Sequence, residues 1–309
     1  MRNPDSMQMQ SLLSKVYAGM YIPCSTGLPF LDEMLEGGLA VQSVLLLTSA
    51  LGMGKTALCQ KMADSIAQTK RKVVCVNYEM NKEQLWARAF SCRLLMEKGC
   101  RIPMTRFLRN EDWTQKEVTK INDTAKELDQ LSIYLTYNPN SVKEDLKSLL
   151  EYLEQIGKES QKRGERAPVV FVDCLQLISV SSCQNKTERI TRILLGLKSY
   201  AKRYDSSVVA VMTSDRECTP DRLEYAGDMV LSLNDDHIGC MAGDSDTNVR
   251  KLELKVEQSN FTASGQSIIL MFDAACSAIW DASLAENEGK KESDDAKSDD
   301  EEQNTKECR

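Results

Sequence analysis

The sequence predicts an α/β fold: a mostly parallel, twisted sheet flanked by helices. Three observations carry this expectation. Five short apolar runs recur along the chain, and they have few polar breaks, as strands buried on both faces require. Segments of helical character separate them, an alternation that argues for parallel strands joined by helical crossovers. The first run also leads straight into "SALGMGKTAL" (49–58), a glycine-bearing turn that ends in Gly-Lys-Thr.

Taken in order, the chain opens with "SMQMQSLLSKVYAGM", where residues 6–18 read as a short amphipathic helix, free to fray or to dock on a neighbouring subunit. The five apolar runs are "SVLLLT" (43–48), "KVVCVNY" (72–78), "LSIYLTY" (131–137), "PVVFVD" (168–173) and "SVVAVMTS" (207–214), and "DMVLSL" (228–233) is a sixth strand. Helices are expected over 55–69, 81–97, 112–129, 141–162 and 187–204. A more hydrophilic pair, "VRKLELKVEQ" (249–258) and "QSIILMFD" (266–273), reads as a final hairpin. The divisions are a linker-like segment over 1–20, one α/β domain over 21–284, and an acidic tail over 285–309.

Composition narrows the function classes. A chain of 309 residues with 42% hydrophobic and 28% charged residues is ordinary for a soluble globular protein. No run approaches the roughly 18 apolar residues of a membrane span, and the N-terminus has no apolar signal core. The eleven cysteines include no C-x-x-C pair, which disfavours zinc ribbons and thioredoxin-type sites. They read as reduced, mostly buried thiols of a cytoplasmic protein. Between Glu286 and Arg309, ten acidic and five basic residues hold −5 of the total charge of −7, so the rest carries −2. Such a polar tail without aromatics is expected to be disordered. The near-neutral body does not advertise nucleic-acid binding, which would need a local basic patch.

The turn after the first strand is the strongest chemical signal. The phosphate-loop pattern G-x-x-x-x-G-K-[ST] is met except at Ser49. The stretch Ser49, Ala50, Leu51, Gly52, Met53, Gly54, Lys55, Thr56 and Ala57 is the candidate phosphate-binding surface. Gly52 and Gly54 let backbone N–H groups turn inward around phosphate oxygens. Lys55 would reach the terminal phosphates of ATP, Thr56 would give a hydroxyl to Mg²⁺, and the following helix points its positive end at the anion. A chance Gly-Lys-Thr on a surface turn is the alternative, and the flanking strand and helix count against it.

Two acids complete the candidate site. Glu79, after the strand "VCVNY", would sit at the carboxyl ends of parallel strands, where ligands collect. A carboxylate there can activate water for attack on a γ-phosphate, or it can simply cap the helix that begins near "NKEQL". Asp173 ends "VVFVD" and suits the acid that supports Mg²⁺, although any strand can end in Asp.

These residues together make the chain resemble the C-terminal motor domain of DnaB-type replicative helicases, a RecA-like P-loop ATPase family. The resemblance runs from about Ser25 to Ala282, through "STGLPFLDEMLEGGL", "GMGKTAL", "VNYEMNKEQLWAR", "EDW", "VFVDCLQLI" and "LLGLKSYAKRYDSSVVAV". It implies a RecA-type fold, a ring of about six subunits with ATP between neighbours, and single-stranded DNA in the channel. It also implies Glu79 as catalytic base, Lys55 and Thr56 on phosphate and Mg²⁺, and Asp173 as the second metal-side acid. The first loop position is often not glycine in this family, so Ser49 is no sign of decay.

Four departures qualify what the resemblance implies. Only about 20 residues precede the motor, so the family's primase-recruiting domain is expected to have no counterpart here, and residues 6–18 match at most its linker helix. Where the family has a Ser-Gln-type sensor of the γ-phosphate, "VMTSDRE" places Thr213 or Ser214. A hydroxyl can bond phosphate but cannot mimic both amide functions. The DNA-contacting stretch "CTPDRLEYAGDMVLSL" is short and offers Arg222 as its obvious cation, with Arg216 or "CQNKTER" left to compensate. In the family's Lys-x-Arg pair, which reaches the neighbour's γ-phosphate, Lys255 is kept and Glu257 replaces the arginine. Arg250 and Lys251, earlier on that strand, could substitute only in another register.

Other features read as structural. His237, the chain's one histidine, and the acid clusters 234–236 and 243–246 read as loops without metal-site spacing. Trp86, Trp113 and Trp280 read as packed aromatics. The sequence therefore points to an ATP-binding and ATP-hydrolysing helicase-like motor for single-stranded DNA in replication, as a homo-oligomeric ring or in association with other replication proteins, with no membrane role. The alternative is an ATP-binding regulatory partner that does not unwind DNA; a recombinase or KaiC-like ATPase comes third.

Overall fold

Alternating side chains decide where the core sits. In strand β1 (Ser43–Ser49), Val44 and Leu46 point to one face of the sheet, Leu45 and Leu47 to the other, and all four are buried. The same two-sided burial runs along β4 (Val169–Asp173) and β5 (Ser207–Thr213). Burying each such side chain contributes about 1.5–3 kcal/mol, so these strands belong at the sheet's centre.

The computed structural model describes residues 4–109, 112–137, 145–181, 183, 185–214, 227–236 and 249–282. Nine strands form one sheet. Six are parallel: β3 (Ile133–Tyr137), β2 (Val73–Asn77), β4, β5, β1 and β6 (Met229–Asp235), in that spatial order. The antiparallel strands β7 (Val249–Ser259), β8 (Ser267–Asp273) and β9 (Ala278–Asp281) extend it from β6. On one face Leu31 of α2 (Pro29–Met34) and Leu58, Met62 and Ile66 of α3 (Lys55–Gln68) close the core. On the other, Leu149 and Leu153 of α7 (Leu146–Lys162) and Ile190, Ile193, Leu194 and Leu197 of α8 (Lys186–Tyr204) do so. The expected sandwich of helices about a mostly parallel sheet is what the chain builds.

Local signals set the element ends. Helix α4 (Lys82–Lys98) starts at a capping box in which Asn81 and Gln84 exchange bonds, and it stops at Gly99, whose φ of 57° is cheap only without a Cβ. Helix α6 (Gln115–Asp129) has the same device in Thr114 and Glu117 and begins three residues after the expected 112. Helix α7 begins at Leu146, capped by Asp145, later than the expected 141. Two short helices, α2 and α5 (Met104–Phe107), went unforeseen, because four to six residues carry no periodicity. Helix α1 (Pro4–Tyr17) fits the expected N-terminal helix.

The expected hairpin forms as β7 and β8, and after the turn at Ala274–Ser277 a short third strand, β9, pairs with β8. One expectation needs correction. Trp86 is not a core residue: it is 45% exposed, with the Lys82 ammonium 4.4 Å from its ring centre. Its α4 turn faces outward, and the cation covers part of the ring. Trp280 is half-buried, whereas Trp113 packs on Phe107 at 5.3 Å between ring centres. The eight cysteines among the described residues are all free; Cys59, Cys174 and Cys276 are buried and five are half-buried. No helix among the described residues is long and apolar enough to cross a membrane. The expectations for Arg216, Arg222, His237, the acid cluster 243–246 and the tail lie outside the described residues.

Candidate nucleotide-binding site

Parallel strands end together, so their carboxyl ends share one edge. Registers place Asn77 beside Asp173 and Ser49 beside Thr213. Above that edge the chain leaves β1 and enters α3 through Leu51–Gly54. Gly52 and Gly54 have φ of 78° and 82°, left-handed values that fold their N–H groups inward. A Cβ on Gly54 would also meet the Phe272 ring at 3.1 Å. Gly54 caps α3 with no side-chain bond. The first N–H groups of a helix have no partner within it, and with the helix dipole they favour an anion at that point.

The side chains converge on the same place. Lys55 is buried, and its Nζ donates to Ser49 Oγ (2.8 Å), Ser49 O (3.1 Å) and Ala50 O (2.8 Å). Ser49, where the loop pattern asks for glycine, therefore holds the lysine. Burial pushes the Lys55 ammonium below its usual range, and Asp173 pulls the other way. Thr56 Oγ1 donates to Asp173 Oδ2 at 2.8 Å, and Asn77 Nδ2 reaches the same oxygen at 3.3 Å. Burial pushes the Asp173 carboxyl up to about 6; the Thr56 bond opposes this and the nearby Glu79 carboxylate adds to it.

Glu79 is exposed at the cleft, with its N–H bonded to Asn77 Oδ1 at 2.9 Å. It does not cap α4, since Asn81 does; the carboxylate is left facing the cleft. Glu79, Asp173 and Cys174 bring ligand atoms within 4.8 Å of one another. The carboxylates and the Thr56 hydroxyl are hard oxygen donors that fit Mg²⁺, whereas a thiol suits softer metals. Burial holds the Cys174 thiol protonated, with its pKa pushed up to about 11.

The resulting cleft has a volume of about 320 Å³. It is lined by Leu51–Ala57 together with Glu79, Asp173 and Thr213, so most of the residues expected from the sequence meet here. Lys255 does not: it lies on β7 opposite Ser232, and its Nζ contacts Glu257 at 3.2 Å. Glu257 also accepts from Ser232 Oγ at 2.5 Å. Arg250 has its own partners at the phosphate loop, donating to Gly52 O at 2.8 Å with its guanidinium over Phe272. It therefore stands on the cis side of the cleft.

Three contributors escaped the sequence reading. Asn77 ties Glu79 and Met80 to Asp173 through its amide. Arg88 reaches the cleft from α4, held by Ser277 Oγ at 3.1 Å. Phe272 closes the loop side. A polar residue ending an apolar strand was the available signal for Asn77. Arg88 and Phe272 had none, because their place depends on how α4 and β8 pack.

Comparison with known proteins agrees with this geometry. The DnaB-like helicase C terminal domain family matches residues 24–222. The replicative DNA helicase DnaB of Nostoc sp. is 26% identical over 227 residues, 72% of this chain and 23% of the relative. A probable replicative DNA helicase of Trieres chinensis is 25% identical over 278 residues, 83% of this chain and 57% of the relative. The chain thus spans less than two thirds of either curated relative. Among solved structures, a DnaB-like replicative helicase, described with its interactions with primase, superposes with a TM-score of 0.69 at 18% identity. That match covers 91% of this chain and 67% of the other, and it is a likeness of fold.

Proposed function

Because the chain belongs to the DnaB-like helicase C-terminal domain family, we propose that it is an ATP-binding and ATP-hydrolysing motor that acts on single-stranded DNA in replication, with altered groups on the side that faces a neighbouring subunit. One observation carries this reading: the phosphate-loop backbone, Lys55, Thr56, Asp173 and Glu79 meet in one cleft at the carboxyl edge of the sheet.

In this proposal the phosphates of ATP lie in the loop, against the inward N–H groups and the start of α3. Lys55 exchanges its bonds with Ser49 and Ala50 for the terminal phosphates. Thr56 and Asp173 would hold Mg²⁺, which would supply neutralisation of phosphate charge. Glu79, oriented from Asn77, accepts a proton from the attacking water. Thr213, at the end of β5, offers a hydroxyl toward the γ-phosphate. Arg88 adds positive charge opposite the two acids. Across the subunit boundary, Lys255 is the remaining cation and Glu257 stands where an arginine would be. An arginine supplied this way is worth about 10³–10⁵ in rate, so turnover is slow.

A ring is supported by α1, which exposes Met9, Leu12, Leu13, Val16 and Tyr17 and would cover them on a second copy. Glu257 also favours the second reading, an ATP-binding partner in a replication complex that does not unwind DNA. ATP turnover with and without single-stranded DNA, plus strand displacement on a forked duplex, decides between them. The motor reading expects DNA-stimulated turnover that falls about 10²-fold or more in Lys55→Ala. Tight ATP binding with no turnover in the wild type would overturn it.

A further inference from the structure

The amino edge of the sheet, opposite the nucleotide cleft, carries a second cavity of about 510 Å³. Its charged lining is Lys70, Arg71, Lys72 and Arg166 against the single carboxylate of Glu165. Lys72 pairs with Glu165. Among the described residues the two arginines meet no carboxylate: Arg71 donates to Ala167 O at 2.8 Å, and Arg166 to Met20 O at 2.9 Å. Backbone carbonyls thus hold two guanidiniums close together. Burial lowers the Arg71 pKa, and the Arg166 charge lowers it further. Arg71 Nε is buried without a hydrogen-bond partner. Like charges held side by side around a concavity make a positive potential that favours an anion among them.

The path of the chain supplies one. Strand β8 ends at the nucleotide edge, where Phe272 abuts Gly54, and the antiparallel β9 turns back along β8 as far as Asp281, opposite Leu270. There Asp281 accepts from the Phe30 N–H at 3.1 Å. Phe30 is five residues from Ser25, a wall of the cavity, so the two lie at most ~18 Å apart. Nine residues lie between Ala282 and Glu292, and the ten steps can span ~33 Å. Residues 292–302, "ESDDAKSDDEE", hold seven carboxylates and one lysine.

We propose that this basic cavity is the docking site of the chain's own acidic segment 292–302, whose carboxylates bridge Arg71 and Arg166 and pair with Lys70. Tethering makes the contact intramolecular, so weak individual ion pairs suffice at the high effective concentration.

Zero-length carbodiimide coupling of the full chain at low concentration, mapped by mass spectrometry, tests this. The Lys72–Glu165 link serves as an internal control. Links from Lys70 and Lys72 to residues 292–302 are expected to exceed those from exposed Lys147 at least about fivefold. They should fall by a similar factor in Arg166→Gln and in 1 M NaCl, where screening shortens to ~3 Å. Thermal unfolding and the Lys72–Glu165 link report whether R166Q remains folded. Links spread evenly over surface lysines, or unchanged in R166Q and in salt, overturn the proposal. So do links that join isotopically distinct copies in a mixed sample. A single-stranded oligonucleotide or inorganic phosphate that occupies the cavity while the tail fails to couple there also overturns it.

Discussion

At the scale of single residues, the cleft turns on how burial treats charge. Asp173 is buried beside a hydroxyl and an amide, and its carboxyl rises from 3.8 to about 6. A raised carboxyl binds its proton more tightly in the folded chain than in the unfolded one. The contribution of this group to stability is therefore fullest below pH 3.8 and declines as pH rises toward 6, by about 3 kcal/mol in all. In the nucleotide-free protein, Asp173→Asn should remove that loss. Urea unfolding should show a gain below about 1 kcal/mol at pH 4 that grows to about 3 kcal/mol at pH 7.5. An equal gain at both pH values would contradict this reading of the site. Mg²⁺ needs the ionised form, so metal-dependent nucleotide affinity in the wild type should weaken below about pH 6. The sequence exposed Lys55, Thr56 and Asp173 because their spacing relative to a strand and a helix is fixed by covalent geometry. At Ser49, where the loop pattern asks for glycine, the hydroxyl accepts from Lys55 Nζ. Asn77 and Arg88 were hidden because they act through contacts made 96 and 189 residues away.

At the scale of elements, what was legible followed burial. Strands buried on both faces announce themselves as unbroken apolar runs, and all five were placed within about two residues. Caps moved the starts of α6 and α7, since Thr114 and Asp145 sit inside polar stretches that look helical on propensity alone. The short β9 is legible only through its pairing with β8. Close packing of α7 on the α8 side of the core leaves a test. A Cβ at Gly157 would lie 2.6 Å from the Tyr204 ring, and Tyr204 is itself buried against Tyr200. Gly157→Ala should therefore lower stability by about 1–3 kcal/mol despite alanine's better helix propensity, as read by urea or thermal unfolding. A stabilised variant would mean that the two helices are farther apart than described.

At the scale of the whole molecule, the carboxyl edge of the parallel sheet carries the candidate nucleotide cleft and its amino edge a basic cavity, with Arg250 of β7 reaching the phosphate loop. The groups that the proposed function assigns to ATP within one subunit line one cleft. Under the proposed function, the β7 position that would face a neighbour's ATP is Glu257, tied to Lys255 and Ser232. The most direct test of this division is steady-state ATP turnover by Glu257→Arg beside the wild type, at saturating Mg·ATP with single-stranded DNA. An intact cis site short of its trans arginine predicts a rise of about tenfold or more, within the range that such an arginine supplies. Turnover unchanged or lowered in a folded E257R protein would contradict it.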